Sequence, residues 1–211
     1  MRRGLFSPEG GCLLVIDVET SGLSPKKCSI VSIGAVDFRH PERTFYQECR
    51  PWNGALIEEG ALRCNGFTKE QITDPNKRTL SMAMTDFIMW VMDSEEQTLA
   101  GHNFGFDTGF LKAAIEICNL SWRMQSRAVD LHTAAYVDHL KKGIPIPLRH
   151  SRTDLTLDKV LLYVGVPEEP KPHIALTGAK CTAEAFSRII YGKPMFEEFR
   201  QYALPDHLVK R

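Results

Sequence analysis

The hydrophobic pattern of the chain begins with short segments that are typical of β-strands. Five apolar or alternating segments predict strands: residues 12–16, 30–38, 44–49, 98–101 and 128–131. The first is wholly apolar and ends at Asp17, which is typical of a central strand buried on both faces. The polar tract 39–43 between the second and third segments predicts a hairpin connection. The chain therefore opens with consecutive antiparallel strands.

Apolar positions at helical spacing follow this opening. They predict helices over residues 81–92, from about 107 to 118, from about 132 to 141, over 155–163 and over about 178–191, with shorter helical segments near 58–64 and 69–73. The Pro-rich tracts 142–154 and 168–173 predict loops. Strands followed by helices that alternate with short strands predict an α/β fold with a mixed central β-sheet flanked by helices.

Composition limits the classes of protein to consider. The chain has 211 residues, 43% of them hydrophobic, and 26 basic residues balance 26 acidic ones. This size suits one well-buried domain, and the composition excludes general disorder. Zero net charge excludes coating of nucleic acid by bulk charge, so a polyanion must meet a local patch or a metal ion. We expect a loose N-terminal lead-in at 1–11, one domain at 12–192 and a C-terminal extension of unknown role at 193–211.

Cysteine usage and hydropathy predict the compartment. The six cysteines form no CxxC pair, which favours free thiols over a disulfide framework or a zinc site. No apolar run reaches the length of a signal peptide or a membrane span. The sequence therefore predicts a soluble cytoplasmic protein without a membrane partner.

Three places in the chain carry candidate chemistry. Asp17 and Glu19 stand two apart at the end of the first strand, so the pleat puts both carboxylates on one face. Two such carboxylates repel unless they are protonated or bridged by a cation, and oxygen donors suit Mg²⁺ or Mn²⁺. Asp107 follows a short strand near a helix start, and His173 lies in a Pro-rich loop. Each has a structural alternative: a solvated turn, a helix N-cap and a polar surface side chain.

Together these segments resemble a known family. The stretches DVETSGL from Asp17, GHNFGFD ending at Asp107, and HIAL from His173 resemble the ordered motifs of the DEDD superfamily of 3′–5′ exonucleases. The match is to the histidine-bearing DEDDh, or DnaQ-like, branch. The resemblance covers about residues 12–192 and implies a ribonuclease H-like fold.

The resemblance also implies a mechanism. It implies two divalent ions, Mg²⁺ or Mn²⁺, at the scissile phosphate, with Asp17, Glu19 and Asp107 as metal ligands and His173 as the general base. The substrate is implied to be the 3′ end of single-stranded DNA or RNA. Residues implied to contact it are Thr20, Gly22, Leu23, His102 and Asn103.

The last acidic position of the family pattern is missing. It stands five residues after the histidine, where this chain has Gly178. Glu184, six residues further along the predicted helix, points about 240° away and is a poor substitute. One metal site is therefore expected to be weakened, and Gly178→Asp to tighten it. Three interpretations stay open: three acids suffice, another acid such as Asp130 or Asp158 is recruited, or the chain is a catalytically weakened or inactive nucleic-acid-binding module.

Local charge and aromatic residues supply candidate substrate contacts. Two basic clusters are Lys141, Lys142, Arg149, His150 and Arg152, and Trp122, Arg123 and Arg127. Either cluster is expected to hold phosphates or to be an ordinary solvated loop. Phe104 and Phe106 are expected to lie in the core, with base stacking as the alternative.

Overall fold

The computed structural model describes residues 13–209. The predicted lead-in at 1–11 and Cys12 lie outside the described residues. Five strands form one mixed sheet in the order β3-β2-β1-β4-β5. Their bounds are Leu14–Thr20 (β1), Ile30–Asp37 (β2), Thr44–Glu48 (β3), Leu99–Gly101 (β4) and Ala128–Asp130 (β5). β1 pairs antiparallel with β2 and parallel with β4, so the predicted mixed sheet with an antiparallel opening is confirmed.

Eight helices accompany the sheet within the described range. They are α1 (Glu59–Asn65), α2 (Lys69–Thr73), α3 (Leu80–Met92), α4 (Gly105–Ile117), α5 (Leu131–Lys142), α6 (Leu157–Tyr163), α7 (Ala175–Tyr191) and α8 (Asp206–Val209). A short hairpin, β6 (Leu148–Arg149) and β7 (Arg152–Thr153), lies between α5 and α6. None of these helices combines the length and the apolar character needed to span a bilayer.

The helices cover both faces of the sheet. Leu14, Ile16 and Val18 of β1 pack in one apolar core with α3 and α4, while Val15 packs in a second core with α5, α6 and α7. Because side chains alternate along a strand, Asp17 and Glu19 continue the face of Val15. β1 therefore directs both carboxylates toward the side covered by α7.

The segments between the strongest elements differ from the prediction. The tract 142–154 is not a plain loop, because it contains the β6–β7 hairpin, whose turn residues His150 and Ser151 both have positive φ. Such a turn normally carries glycine or asparagine, so the sequence gives no hairpin signal. α7 begins at Ala175 instead of near Gly178, and no side-chain cap at Ile174 marks this start.

A close contact fixes the beginning of α7 against the sheet. Gly34 of β2 lies directly opposite Asp17 of β1. A Cβ atom at Gly34 would overlap the backbone of Ala175 and Leu176, so only glycine permits this approach. The first turn of α7 therefore rests on the sheet beside Asp17.

Candidate active site

The central strand and the start of α4 bring three carboxyl groups together. The buried carboxylate of Asp107, in the first turn of α4, accepts a hydrogen bond of 3.0 Å from the Val18 backbone N–H. Val18 stands between Asp17 and Glu19, so Asp107 is held at the same end of β1. The structure thus brings Asp107 to the Asp17–Glu19 pair, from which it is separated by at least 88 residues in the sequence.

These acids open onto a cavity of about 870 Å³. Its lining includes Asp17, Glu19, Asp107, Glu169, His173, His102, Asn103, Phe106, Asp130, His132, Arg152 and Thr153. All four residues proposed from sequence as catalytic are on this wall. Glu169 joins them, although sequence analysis did not single it out.

Burial raises the pKa of every acid in this group. It raises the pKa of Asp17 to about 7, and burial followed by the charges of Asp17 and Glu169 raises the pKa of Glu19 to about 9. Burial, then the charge of Asp17, raises the pKa of Asp107 well above its usual range. Burial followed by the charges of Asp17 and Asp158 raises the pKa of Glu169 to about 8. Four carboxyl groups that resist ionisation together call for protons or a bound cation.

His173 lies at the edge of this group, immediately before α7. Its Nδ1 is 3.8 Å from Oε2 of Glu169 and 3.7 Å from Sγ of Cys64. Its backbone N–H donates to the Cys64 carbonyl at 3.1 Å. The backbone of His173 is therefore held in place, while its imidazole, which is 27% exposed, remains accessible to solvent.

The turn after β1 is held by residues that sequence analysis did not identify. The Thr20 carbonyl accepts a hydrogen bond from Asn65, and the Leu23 backbone N–H donates to the Glu58 carboxylate at 3.3 Å. A Cβ at Gly22 would overlap that same carboxylate. Leu23 itself is 76% exposed. The proposed turn residues therefore border the site without lining the cavity, and the Leu23 donor is already engaged.

The second motif is shaped by Asp130. Its carboxylate accepts backbone hydrogen bonds from Asn103, Phe104 and His132, at 3.3, 2.8 and 2.8 Å. Asp130, one of the two candidates for a recruited acid, lines the cavity, and its oxygens position the turn of the motif. His102 and Asn103 line the cavity as expected.

The aromatic and basic residues proposed to contact substrate lie in three environments: the core, the cavity wall and the exposed surface. Phe104 is buried in the core, whereas Phe106 reaches the cavity wall. In the first basic cluster Arg152 lines the cavity, and Lys142 pairs with Asp138 at 2.6 Å. The remaining members of that cluster are exposed: Lys141, Arg149 and His150. In the second cluster Trp122 packs edge-on against Phe87 of the core.

The carboxylates of neighbouring residues fill the space that a side chain at position 178 would need. Gly178 is buried, and a Cβ there would overlap Oδ2 of Asp17 and lie 3.2 Å from Oε1 of Glu169. Glu184 is not available as a substitute, because its carboxylate pairs with Arg188 at 2.6 Å inside the protein. A signal for Glu169 was present in the sequence, four residues before His173. The family pattern directs attention only to the residues after that histidine.

The donor set fits hard divalent cations. Among residues 13–209 no three carboxylate, imidazole or thiol groups stand close enough together to hold one ion as they are placed. The fit rests instead on the convergence of oxygen donors and on Oε1 of Glu169, which is buried without a hydrogen-bond partner. Carboxylate oxygens are the ligands that Mg²⁺ and Mn²⁺ prefer.

Comparison with known proteins agrees with this arrangement. The model of the family described as the 3′-5′ exoribonuclease Rv2179c-like domain matches residues 12–190. A DNA polymerase III of PolC type from Thermotoga petrophila is 26% identical over 185 residues, which are 86% of this chain and 12% of that protein. The chain thus spans a small part of this relative.

Solved structures share the fold at low identity. The nuclease domain of 3′hExo, a DEDDh family member bound to rAMP, matches with a TM-score of 0.66 and 16% identity over 95% of this chain and 99% of that domain. Exonuclease I of E. coli, in complex with a dT13 oligonucleotide, matches with a TM-score of 0.65 and 17% identity over 85% of this chain and 41% of that one. The expected ribonuclease H-like fold is confirmed.

Proposed function

The chain belongs to the family of 3′-5′ exoribonuclease Rv2179c-like domains, and from this membership we propose that it is a metal-dependent 3′–5′ exonuclease. The observation that carries the proposal is the convergence of Asp17, Glu19, Asp107 and His173 on one cavity. Asp17 and Glu19 lie far from Asp107 and His173 in the sequence, and the fold brings all four to one cavity. This set matches the motifs of the DEDDh exonucleases.

Asp17, Glu19 and Asp107 would hold the Mg²⁺ or Mn²⁺ ions. Bound there, divalent ions supply Lewis-acid stabilisation of the charge that develops on the phosphate. The raised pKa values of the free acids support this assignment, since a cation offsets the repulsion among them. Through such ions the three carboxylates would hold the scissile phosphate beside His173.

His173 is the proposed general base. Its Nδ1 lies against Cys64 and Glu169, which leaves Nε2 as the nitrogen that takes the proton from the attacking water. A histidine in this role is held by its surroundings while one nitrogen stays accessible. The backbone hydrogen bond to Cys64 and the partial exposure of the ring meet both needs.

The proposed substrate is the 3′ end of a single strand. The exposed apolar side chain of Leu23 stands beside the site for contact with a terminal base, and Arg152 on the cavity wall supplies a positive charge for the backbone. The family description names an exoribonuclease, and the Exonuclease I structure contains dT13. RNA and DNA are therefore both to be compared as substrates.

A cleavage assay tests this proposal. Single-stranded RNA and DNA labelled at the 5′ end are incubated with Mg²⁺, Mn²⁺ or EDTA and with wild type, Asp17→Asn or Glu116→Gln. The control Glu116 is exposed on α4, so its variant loses one negative charge outside the cavity. We expect a ladder that shortens from the 3′ end with metal, is unchanged in Glu116→Gln and disappears in Asp17→Asn. Intact substrate at high wild-type concentration would refute the exonuclease.

A nucleic-acid-binding module without catalysis is the second candidate. Gly178 favours it, because the acid of the family pattern is absent there. This candidate predicts that labelled oligonucleotide binds in fluorescence anisotropy, that it stays uncut, and that Asp17→Asn leaves the affinity unchanged.

A further inference from the structure

We propose that Glu169 supplies the missing fourth acid and binds metal from the loop before His173. This inference deepens the proposed exonuclease function and rests on it. In the family pattern the fourth acid projects from the last helix, after the histidine. In this chain the carboxylate would come from the opposite side, four residues before the histidine.

The carboxyl group of Glu169 is buried, and one of its oxygens has no hydrogen-bond partner. Its side chain is 6% exposed, and Oε1 has no hydrogen-bond partner among the described residues. Oε2 lies 3.8 Å from Nδ1 of His173. A buried carboxylate without hydrogen-bond partners is strongly unfavourable. Glu169 lines the cavity, and its unpartnered Oε1 lies on the side of Gly178 and Asp17, as expected of a metal ligand.

The glycine at position 178 explains why Glu169 fits here. A Cβ at this position would lie 3.2 Å from Oε1 of Glu169 and 2.9 Å from Cγ of Asp17, and it would overlap an Asp17 oxygen. Any side chain at 178 would therefore push against both carboxylates. The absence of a side chain at 178 therefore leaves the room in which Glu169 approaches Asp17. On this proposal Gly178→Asp is expected to displace both carboxylates instead of tightening the site.

The loop is built to hold Glu169 in place. Its backbone N–H donates to Oδ1 of Asp158 on α6, at 3.0 Å. Pro167 and Pro170 flank the Glu168–Glu169 pair, and each proline ring fixes the backbone and reduces the freedom of the loop. Asp158, one of the two acids that the sequence offered as candidates for recruitment, thus helps to position Glu169.

Metal binding to the metal-free protein tests the assignment directly. Mn²⁺ is titrated calorimetrically into wild type, Glu169→Gln and Glu168→Gln. Glu168 is the exposed neighbour, so its variant removes the same charge from the same loop. We expect Glu169→Gln to lose one Mn²⁺ site or to weaken it at least tenfold, and Glu168→Gln to match wild type. Equal Mn²⁺ binding by all three proteins would overturn the proposal.

Thermal unfolding separates a ligand from a structural residue. Without metal, Glu169→Gln should melt at or above the wild-type temperature, because the substitution removes an unpartnered buried acid and its repulsion with Asp17. With Mn²⁺ its increase in melting temperature should be smaller than that of wild type. A clear drop in melting temperature without metal would show that Glu169 is structural.

Cleavage assays complete the distinction. If wild type cuts RNA or DNA and Glu169→Gln cuts equally well, the inference fails while the exonuclease stands. If Glu169→Gln loses activity but binds Mn²⁺ normally, Glu169 acts only through His173, which also overturns the inference. If wild type cuts nothing and Glu169→Gln still loses a Mn²⁺ site, the metal assignment stands and the proposed function fails.

Discussion

At the scale of single residues, the motif that ends at Asp107 contains a largely buried histidine, His102. Burial lowers the pKa of His102 to about 4, with smaller effects from Asp130 and His132. Its Nδ1 is buried without a hydrogen-bond partner in the described structure. His102 is therefore neutral in the folded protein at neutral pH, and its protonation favours the unfolded state.

This burial predicts a pH dependence of stability. The folded pKa lies below the ordinary 6.5, so the contribution of His102 is fully present above pH 6.5 and is lost as the pH falls toward 4. Between pH 7.5 and pH 5 this loss amounts to about 2 kcal/mol of unfolding free energy. Urea unfolding of wild type and His102→Gln at both pH values checks it. The carboxyl groups of Asp17, Glu19 and Glu169 titrate in both proteins, so the difference in unfolding free energy between the two isolates His102 and should change by about 2 kcal/mol. The same difference between wild type and His40→Gln, at an exposed position, should not change.

Some residues of the site could be predicted from the sequence, and one could not. Asp17, Glu19, Asp107 and His173 were found because their spacing along the chain is a motif, and the fold brings them to one cavity. Glu169 belongs to no motif. Its place depends on a loop path and on the free space above Gly178, and both are properties of the folded chain.

At the scale of elements, the contact between α7 and β2 positions the histidine. His173 stands two residues before α7, and the first turn of that helix rests on Gly34. The position of His173 on the cavity wall therefore depends on how closely the helix and the sheet approach. A side chain at residue 34 would separate them.

Gly34→Ala is predicted to destabilise the protein and to lower its activity. The added Cβ would overlap the Ala175 backbone, and such overpacking costs about 1–3 kcal/mol. Gly109→Ala is the matched control in α4, where an added Cβ meets only Pro25, at 3.6 Å. Because alanine favours the helix over glycine, this variant should raise the unfolding free energy by about 0.5–1 kcal/mol. Urea unfolding and cleavage rates of both variants test this. Equal stability of Gly34→Ala and wild type would contradict the close packing.

Elements with strong periodicity were predicted well, and their ends were not. β2 and α3 follow their predicted bounds within one residue, because apolar side chains alternate or recur along their whole length. The start of α7 was placed about three residues late, since its first turn lies on the backbone of Gly34 and carries no capping side chain. Packing against the sheet, not local pattern, decides that boundary.

At the scale of the whole molecule, Arg188 ties the C-terminal segment to the domain. This residue is fully buried and pairs with Glu184 one turn before it. Its guanidinium also donates to the carbonyls of Val164, Phe199 and Tyr202 at 3.1, 2.8 and 3.0 Å. Residues 193–209 are therefore part of the packed structure. No motif in this segment indicates whether it docks on the domain or stands apart.

Removing this arginine is predicted to destabilise the whole fold. Arg188→Met leaves Glu184 buried and unpaired and frees three carbonyl groups, which should lower the unfolding free energy by about 3–5 kcal/mol. Arg63→Met removes an exposed pair with Glu59 and should cost less than about 1 kcal/mol. Adding Glu184→Gln to Arg188→Met should recover part of the loss, because no unpaired charge remains. If denaturant unfolding of Arg188→Met matches that of Arg63→Met, the C-terminal segment does not depend on this ion pair.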